Sequence, residues 1–491
     1  MSTQHPDNAG VPYWKYDHNA FVSSADETTE CMDAFENLNV EEFMWDWEGK
    51  FTDEAVTDRL FHHHYNYFKK NPLGLKKRLT FRIPNIWQEK GYSLLRSLMV
   101  ILTSEDFARD LKFHSPPLFE IILPMTENAK QLIFIQKSFK ELAELKSKIF
   151  GKKINSEYIK IIPLFEGVGT QIKAKEIMQK YLELHKETFG FFPSSLRVFL
   201  ARSDPAMVSG IVPTVLANKI ALSDLRELSE ETGIHIYPIL GAGSLPFRGA
   251  LNPNKIKEFD REYPGVNTIT IQSAFRYDYP KVAVKKAIKY YNEKTGGKST
   301  IITKSERKEL IQLINIFEKR YQQTLKNIIT NLKFVFGSFP RRRERHLHIG
   351  LLSYGRKINN MKMPRAINFT GSFYSLGIPP EFLGTGEMSG LTESRLKLLN
   401  KYYINLSNHV KFAGRFLNWN NLEKLSKNKN WMEVMGETEK LEKLLKTKFG
   451  PQNKDDLEHM KLSSSLLGLK NNPKKIQQNI TKMGVLRKSL G

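Results

Sequence analysis

Cysteine is all but missing from this chain: Cys31 is the single one in 491 residues. No intrachain disulfide can form and a cysteine zinc site is excluded, which fits a reducing compartment. Long apolar runs are also lacking. The N-terminal segment has no continuous apolar stretch of the signal-peptide kind, and no run approaches the roughly 20 apolar residues of a membrane helix. The chain is therefore expected to be soluble and cytoplasmic, with no membrane partner. Acidic residues are in deficit, 52 Asp and Glu against 75 Lys and Arg, for a net charge of +23. Such a balance suits anionic ligands or nucleic acid. Zinc-finger spacing, recognition-helix patterns and aromatic–basic RNA motifs are nevertheless absent. Much of the excess charge lies in lysine-rich helical stretches at 281–298 and 424–482, which read as solvated faces. No nucleic-acid partner is expected; a basic nucleic-acid-binding protein has the charge in its favour and little else.

What the chain does have is a folded-protein composition, 40% hydrophobic and 11% aromatic, enough for a sizeable core. Five apolar runs follow one another at 119–126 (FEIILPMT), 160–167 (KIIPLFEG), 196–203 (LRVFLARS), 235–244 (HIYPILGAGS) and 268–275 (TITIQSAF). Each ends in a carboxylate, an arginine or a glycine-rich turn. Amphipathic helices are expected between them at 130–150 and 171–189, the second capped by Thr170. Buried parallel strands read as short continuous apolar runs, and a barrel collects its polar residues at the C-terminal strand ends. The expected fold class is thus α/β, a (β/α)8 TIM-type barrel with many additional α-helices. Segments 42–47 and 79–83 are weaker strand candidates, so closure at eight is an inference.

Residues 1–40 are polar and turn-rich and by local signals suggest a loose arm. A helix is expected over 53–70, started by Thr52. We expect one decorated barrel domain over 1–491. Residues 1–118 would hold the arm, helices and first barrel elements, 119–280 the central strands with the site, and 281–491 a mainly helical remainder.

Chemistry should lie at the strand ends, near Glu127, Glu166, Asp204, Arg248 and Arg276. Glu166 and Asp204 follow neighbouring strands, and a pair of carboxylates leaves room for a magnesium or manganese ion completed by water and substrate oxygens. Spacing alone leaves open that each caps a helix N-terminus. Arg202, Arg248 and Arg276 occupy equivalent strand ends and Arg82 an earlier one; guanidinium forks bind phosphate and carboxylate bidentately. Together they describe a site for a small, multiply anionic substrate. His62, His63 and His64 cannot converge on one ion from a helix. His346 and His348 lack a third ligand. The run Arg341–Arg343 with Arg345 reads as a solvated face or an anion contact between subunits.

The segments MSTQHPDN, EEFMWDWEGKFTDEAVTDRLFHHHY, LTFRIPNIWQEKGYSLLR, ILTSEDFARDL, IIPLFEG, ARSDPA, GAGSLPFRG and PRAI, in this order along the whole chain, strongly resemble the archaeal-type phosphoenolpyruvate carboxylases. The resemblance implies a homotetramer that uses Mg2+ or Mn2+. It would form oxaloacetate and phosphate irreversibly from phosphoenolpyruvate and bicarbonate, through carboxyphosphate and a metal-stabilised enolate, an anaplerotic carbon dioxide fixation. STQHPD resembles the catalytic histidine motif of the larger bacterial and plant enzymes and points to His5. PLFE and SDPA are similar to their metal motifs and point to Glu166 and Asp204. GAGSLPFRG looks like their glycine–arginine loop and keeps Arg248, QSAFR resembles a substrate-phosphate segment with Arg276, and PRAI resembles an inhibitor-binding segment with Arg365. The resemblance also requires the N-terminal arm to fold into the barrel mouth.

The departures are Met207 where those enzymes have a lysine, Ala242 where they have an arginine, and Leu240 where they have a histidine. Arg202 and Arg82 are the expected substitutes. The rival reading within enzymes is another phosphoenolpyruvate- or oxo-acid-using metal barrel.

Overall fold

The computed structural model describes residues 1–17, 19–88, 92–150, 157–294, 297–344, 352–358 and 361–491. Eight parallel strands close a barrel in chain order: β1 (Ser2–Gln4), β2 (Glu42–Asp46), β3 (Arg78–Arg82), β4 (Glu120–Leu123), β5 (Lys160–Phe165), β6 (Ser195–Ala201), β7 (His235–Gly241) and β8 (Thr268–Ile271). Helices connect and surround them, as the apolar runs and the periodic stretches between them predict. Both weak strand candidates are present. The eighth strand is the segment that reads locally as an arm. Residues 2–4 pair with β2 on one side and β8 on the other, so this short polar piece shuts the barrel.

Strand phase organises the interior, because side chains alternate faces with a period of two. Met44, Ile122, Ile162, Leu164, Phe199, Ala201 and Ile239 point inward and fill the barrel's middle with a dry cluster. Their outward neighbours, among them Phe43, Trp45, Ile121, Ile161, Val198, Leu200 and Leu240, join the large core between barrel and helices. A second large core lies in the C-terminal helices and packs on the helix Ile211–Thr232.

At the barrel floor the inward phase carries charge instead. Arg197 of β6 donates to both oxygens of Glu42 on β2 (2.9 and 2.6 Å) and to Glu120 on β4 (2.9 Å), and Thr80 of β3 donates to Glu42 at 2.6 Å. Burial alone would raise the Glu42 carboxyl; the Arg197 guanidinium outweighs it and brings it down to about 2. Alternate strands supplying one layer is the barrel's usual packing, here in ionic form. Removing one member strands buried charge, so Arg197→Met should lower unfolding stability by about 3–5 kcal/mol. Replacing Glu42, Glu120 and Arg197 together by neutral residues should recover much of it. Urea midpoints of the two variants check this, and equal midpoints for wild type and the single variant would refute it.

Three local expectations change. The helix expected from Thr52 starts at Val56 and runs to Lys70, with His62 and His63 exposed on it. Thr170 caps nothing downstream: it lies inside a short helix, Val168–Ile172, and bonds back to Gly167, while the long helix begins at Ala174. An antiparallel hairpin, β9 (Leu352–Ile358) and β10 (Met361–Pro364), interrupts the helical C-terminal part. Arg345, His346 and His348 lie outside the described residues. Among the described residues, no helix is long and apolar enough to cross a membrane.

Candidate active site

The C-terminal strand ends open into a cavity of about 1040 Å³, its mouth included. Inward-phase residues form its wall, including Asp46 of β2, Arg82 of β3, Glu166 after β5, Ser203 after β6 and Gln272 after β8. Loops, short turns and a helix start add Asp7, Lys50, Asp204, Arg248 and Arg365. Of the residues singled out in the sequence, His5, Arg82, Glu166, Arg202, Asp204, Arg248 and Arg365 all border this one space. Arg276 and Glu127 do not. Glu127 is exposed, its backbone N–H donating to Gln131 at 2.8 Å.

Glu166 reaches across to the neighbouring loop and accepts from the Met125 N–H at 3.0 Å. Asn85 fixes that loop by donating to the Pro124 carbonyl at 2.8 Å. Asp204 sits in the first turn of the helix Ser203–Ser209. Two carboxylates facing a cavity with room for water and substrate oxygens are a hard, all-oxygen donor set, fitting a small divalent cation. The only thiol, Cys31, is buried elsewhere. Among the described residues, no group of three or more His, Cys, Asp or Glu side chains is arranged to hold a metal. The pair would therefore depend on water and substrate to complete the shell.

The positive wall is assembled with equal care. Arg82 donates from Nε and Nη2 to the two oxygens of Asp46, each at 2.7 Å, and lies 3.1 Å from Glu48 through Nη1. Burial would raise the Asp46 carboxyl, but Arg82 and Lys50 hold it well below the usual range. Lys50 lies 2.7 Å from Asp46 and donates to the His5 carbonyl at 3.1 Å, so it braces the exit of β1. Arg248 donates from Nε to Ser203 Oγ (3.1 Å), from Nη2 to Gln272 Oε1 (2.7 Å) and from Nη1 to the Gly491 carbonyl. Burial lowers its pKa to about 10, against the pull of Asp204 and Asp7, and it stays charged at neutral pH. The glycines around it are required by contact. A Cβ at Gly243 would come 2.9 Å from that of Arg248, and Gly249, at φ +123°, would place one 2.6 Å from Ala242. Arg365 pairs with Asp7 at 2.5 Å across the mouth.

Arg202 and Arg276 are turned the other way. On β6 the inward phase runs through Arg197, Phe199 and Ala201 to Ser203, so Arg202 points outward. Its guanidinium donates to the Tyr263 hydroxyl (3.2 Å) and the Phe247 carbonyl (3.4 Å). Arg276 follows β8 in a π-helical turn, Ala274–Asp278, that carries it behind β1. There it donates to the Glu30 carbonyl at 2.8 Å and lies over the rings of Phe43 and Tyr277. Met207, Leu240 and Ala242 are all buried in apolar surroundings. The cations reaching the cavity from other elements are Lys50, Arg82 and Arg365; Lys50 was not singled out in the sequence.

The His5 imidazole has no exposed surface. In the register Thr3↔Phe43, the phase of β1 puts His5 beside outward-facing Trp45, so the residue borders the cavity while its ring is turned behind the strand, meeting Phe43 and Trp45 edge-on at 5.1 and 4.7 Å. Nδ1 is 3.0 Å from Glu30 Oε2. Burial lowers the imidazole pKa to about 4 although Glu30 pulls it up, so the ring is neutral at physiological pH. Nε2 is buried with no hydrogen-bond partner among the described residues. Arg343, expected on a solvated face, is buried instead, with both terminal nitrogens on Glu30 and Nε donating to the Pro6 carbonyl at 2.9 Å.

A family model described as phosphoenolpyruvate carboxylase matches residues 1–491. Among curated proteins, the chain is similar to the phosphoenolpyruvate carboxylases of Oenococcus oeni and Leuconostoc mesenteroides. Identities are 44% and 43%, covering 100% of this chain and 98% of each relative. The phosphoenolpyruvate carboxylase of Pyrococcus horikoshii is 37% identical over 87% of this chain and 89% of its own.

Proposed function

Since this chain belongs to the phosphoenolpyruvate carboxylase family, we propose that the cavity over the barrel's C-terminal end forms oxaloacetate and phosphate from phosphoenolpyruvate and bicarbonate. The observation that carries the reading is the pairing, in one cavity, of Glu166 and Asp204 with Arg82, Arg248 and Lys50. Phosphoenolpyruvate has a phosphate and a carboxylate, and Arg82, Arg248 and Lys50 give this wall positive charge to attract both. Glu166 and Asp204 would hold Mg2+ or Mn2+, which when bound supplies Lewis-acid stabilisation to the substrate oxygens. Arg248, rigidly held in a buried setting, balances the charge of the phosphoryl group as bicarbonate oxygen attacks phosphorus. Arg82 meets the substrate's other anionic end, while Arg202 and Arg276 brace the walls behind. Arg365, at the mouth and paired with Asp7, would take an anionic inhibitor in exchange for that carboxylate. We also propose a cytoplasmic homotetramer, which light scattering on the purified protein tests.

His5 is proposed as the acid–base group for carboxyphosphate, acting once its enclosed Nε2 is uncovered toward the cavity. The carboxyl proton passes to Nε2, the bond from carbon to the bridging oxygen breaks with its electrons on phosphate, and carbon dioxide is left for the enolate. Phosphate takes the proton back. The reading is tested with malate dehydrogenase and NADH. NADH loss should require bicarbonate as well as phosphoenolpyruvate and a divalent ion, and no signal from folded protein would overturn it. His5→Asn should keep releasing phosphate while oxaloacetate falls by roughly 10²-fold or more. Undiminished oxaloacetate would remove His5 from the reaction.

A further inference from the structure

Behind His5 lies a carboxylate that the mechanism above does not use. Glu30, on the helix Glu27–Met32, has no exposed side-chain surface. Four groups converge on it: Nδ1 of His5 at 3.0 Å, Nη1 of Arg343 at 2.9 Å, Nη2 of Arg343 at 2.5 Å and the hydroxyl of Tyr277. A carboxylate so enclosed has one orientation, and so does the ring it holds. The charged groups acting on His5 are Glu30, Glu27 at 3.8 Å, Lys50 and Arg343, and of these Glu30 alone bonds the ring.

We propose that Glu30 is a positioning residue for His5, holding the Nδ1 proton so that Nε2 is left as the ring's acceptor, with Arg343 fixing Glu30 in turn. This rests on the reading of His5 as the acid–base group. The chemical argument is directional. A neutral imidazole has one N–H, and an ionised carboxylate at Nδ1 keeps it there, leaving Nε2 as the acceptor. When Nε2 takes the proton the ring becomes cationic inside an apolar setting, which is costly without a negative neighbour. Glu30 supplies that neighbour. Burial would raise its own carboxyl, but Arg343 and His5 keep it ionised, so it does not take the proton itself. Arg343 also grips the Pro6 carbonyl, which ties the peptide following His5 to the same carboxylate.

The test compares His5→Asn, Glu30→Gln and the double variant Glu30→Gln/Arg343→Gln, following oxaloacetate and phosphate in the same samples. The double variant removes both members of the Glu30–Arg343 pair together, so it guards against a misfolded single variant, with Glu27 left to Lys50 and His5. Glu30→Gln and the double variant should lower the ratio of oxaloacetate to phosphate from about one to below roughly one in ten, with KM for phosphoenolpyruvate unchanged. A merely structural role would lower both products together. If His5→Asn uncouples the products while the Glu30 variants keep the wild-type ratio, or raise oxaloacetate formation, Glu30 does not position His5. If His5→Asn itself leaves oxaloacetate undiminished, the reading of His5 fails first.

Discussion

Arg248→Lys is expected to lower kcat for oxaloacetate formation by roughly 10²- to 10³-fold, the usual loss when a preorganised donor to developing charge is removed. The charge survives the substitution; the fork does not. Arg248 contacts Ser203, Gln272 and the Gly491 carbonyl through three separate nitrogens. An ammonium on a flexible stem cannot hold that arrangement and face the substrate in one geometry. Burial matters as much as shape, because a guanidinium withdrawn from water acts on a phosphoryl group at a lower effective dielectric constant than an exposed one. Arg202→Lys serves as the contrast. Its guanidinium is turned out of the barrel onto Tyr263 and Phe247, so the substitution should lower the thermal midpoint and leave kcat within a few-fold of wild type. Steady-state kinetics on both variants decide the matter. If Arg248→Lys turns over normally while Arg202→Lys does not, the two assignments are reversed.

That contrast also shows what was legible in the sequence. β4 to β8 announce themselves because strands buried on both faces are unbroken apolar runs. β1 does not: Ser2, Thr3 and Gln4 are polar, and their pairing is dictated by β2 and β8, far along the chain. The arginines at strand ends were recognisable as a set, but the set alone does not say which of them enter the cavity. Strand phase does. Counting in twos along β6 from Phe199 brings Ser203 inward and sends Arg202 outward, and along β3 it brings Arg82 inward beside Asp46. Arg276 lies beyond its reach, since the turn after β8 breaks the period. Arg343 was misread for another reason: runs of like charge are usually solvated, and its burial depends on Glu30, 313 positions away. The glycine-rich loop at 241–249 reads as a tight turn on spacing alone; its contacts tie Gly243 and Gly249 to Arg248 and Ala242.

Glu166→Gln and Asp204→Asn carry the other large expected effect. Each keeps the size of the side chain, and Gln at 166 can still accept from the Met125 N–H, so local structure should survive. What disappears is negative charge at the cavity wall. If the carboxylates hold the divalent ion, either substitution should raise the Mg2+ or Mn2+ concentration for half-maximal rate by more than about 100-fold, beyond the 10- to 100-fold typical of groups that only support a metal ligand. The double variant should be inactive at any attainable concentration. The alternative from spacing, that both residues cap helices, predicts a different pattern: about 1 kcal/mol of stability lost, with an unchanged metal requirement. The Glu166 carboxylate accepts from the Met125 N–H in the loop after β4, a contact that supports the first reading. A metal titration of activity, with Mn2+ binding followed by electron paramagnetic resonance on the same variants, distinguishes lost binding from lost turnover. Undiminished Mn2+ affinity in the double variant would take the ion away from this pair and leave the arginine wall without its cation partner.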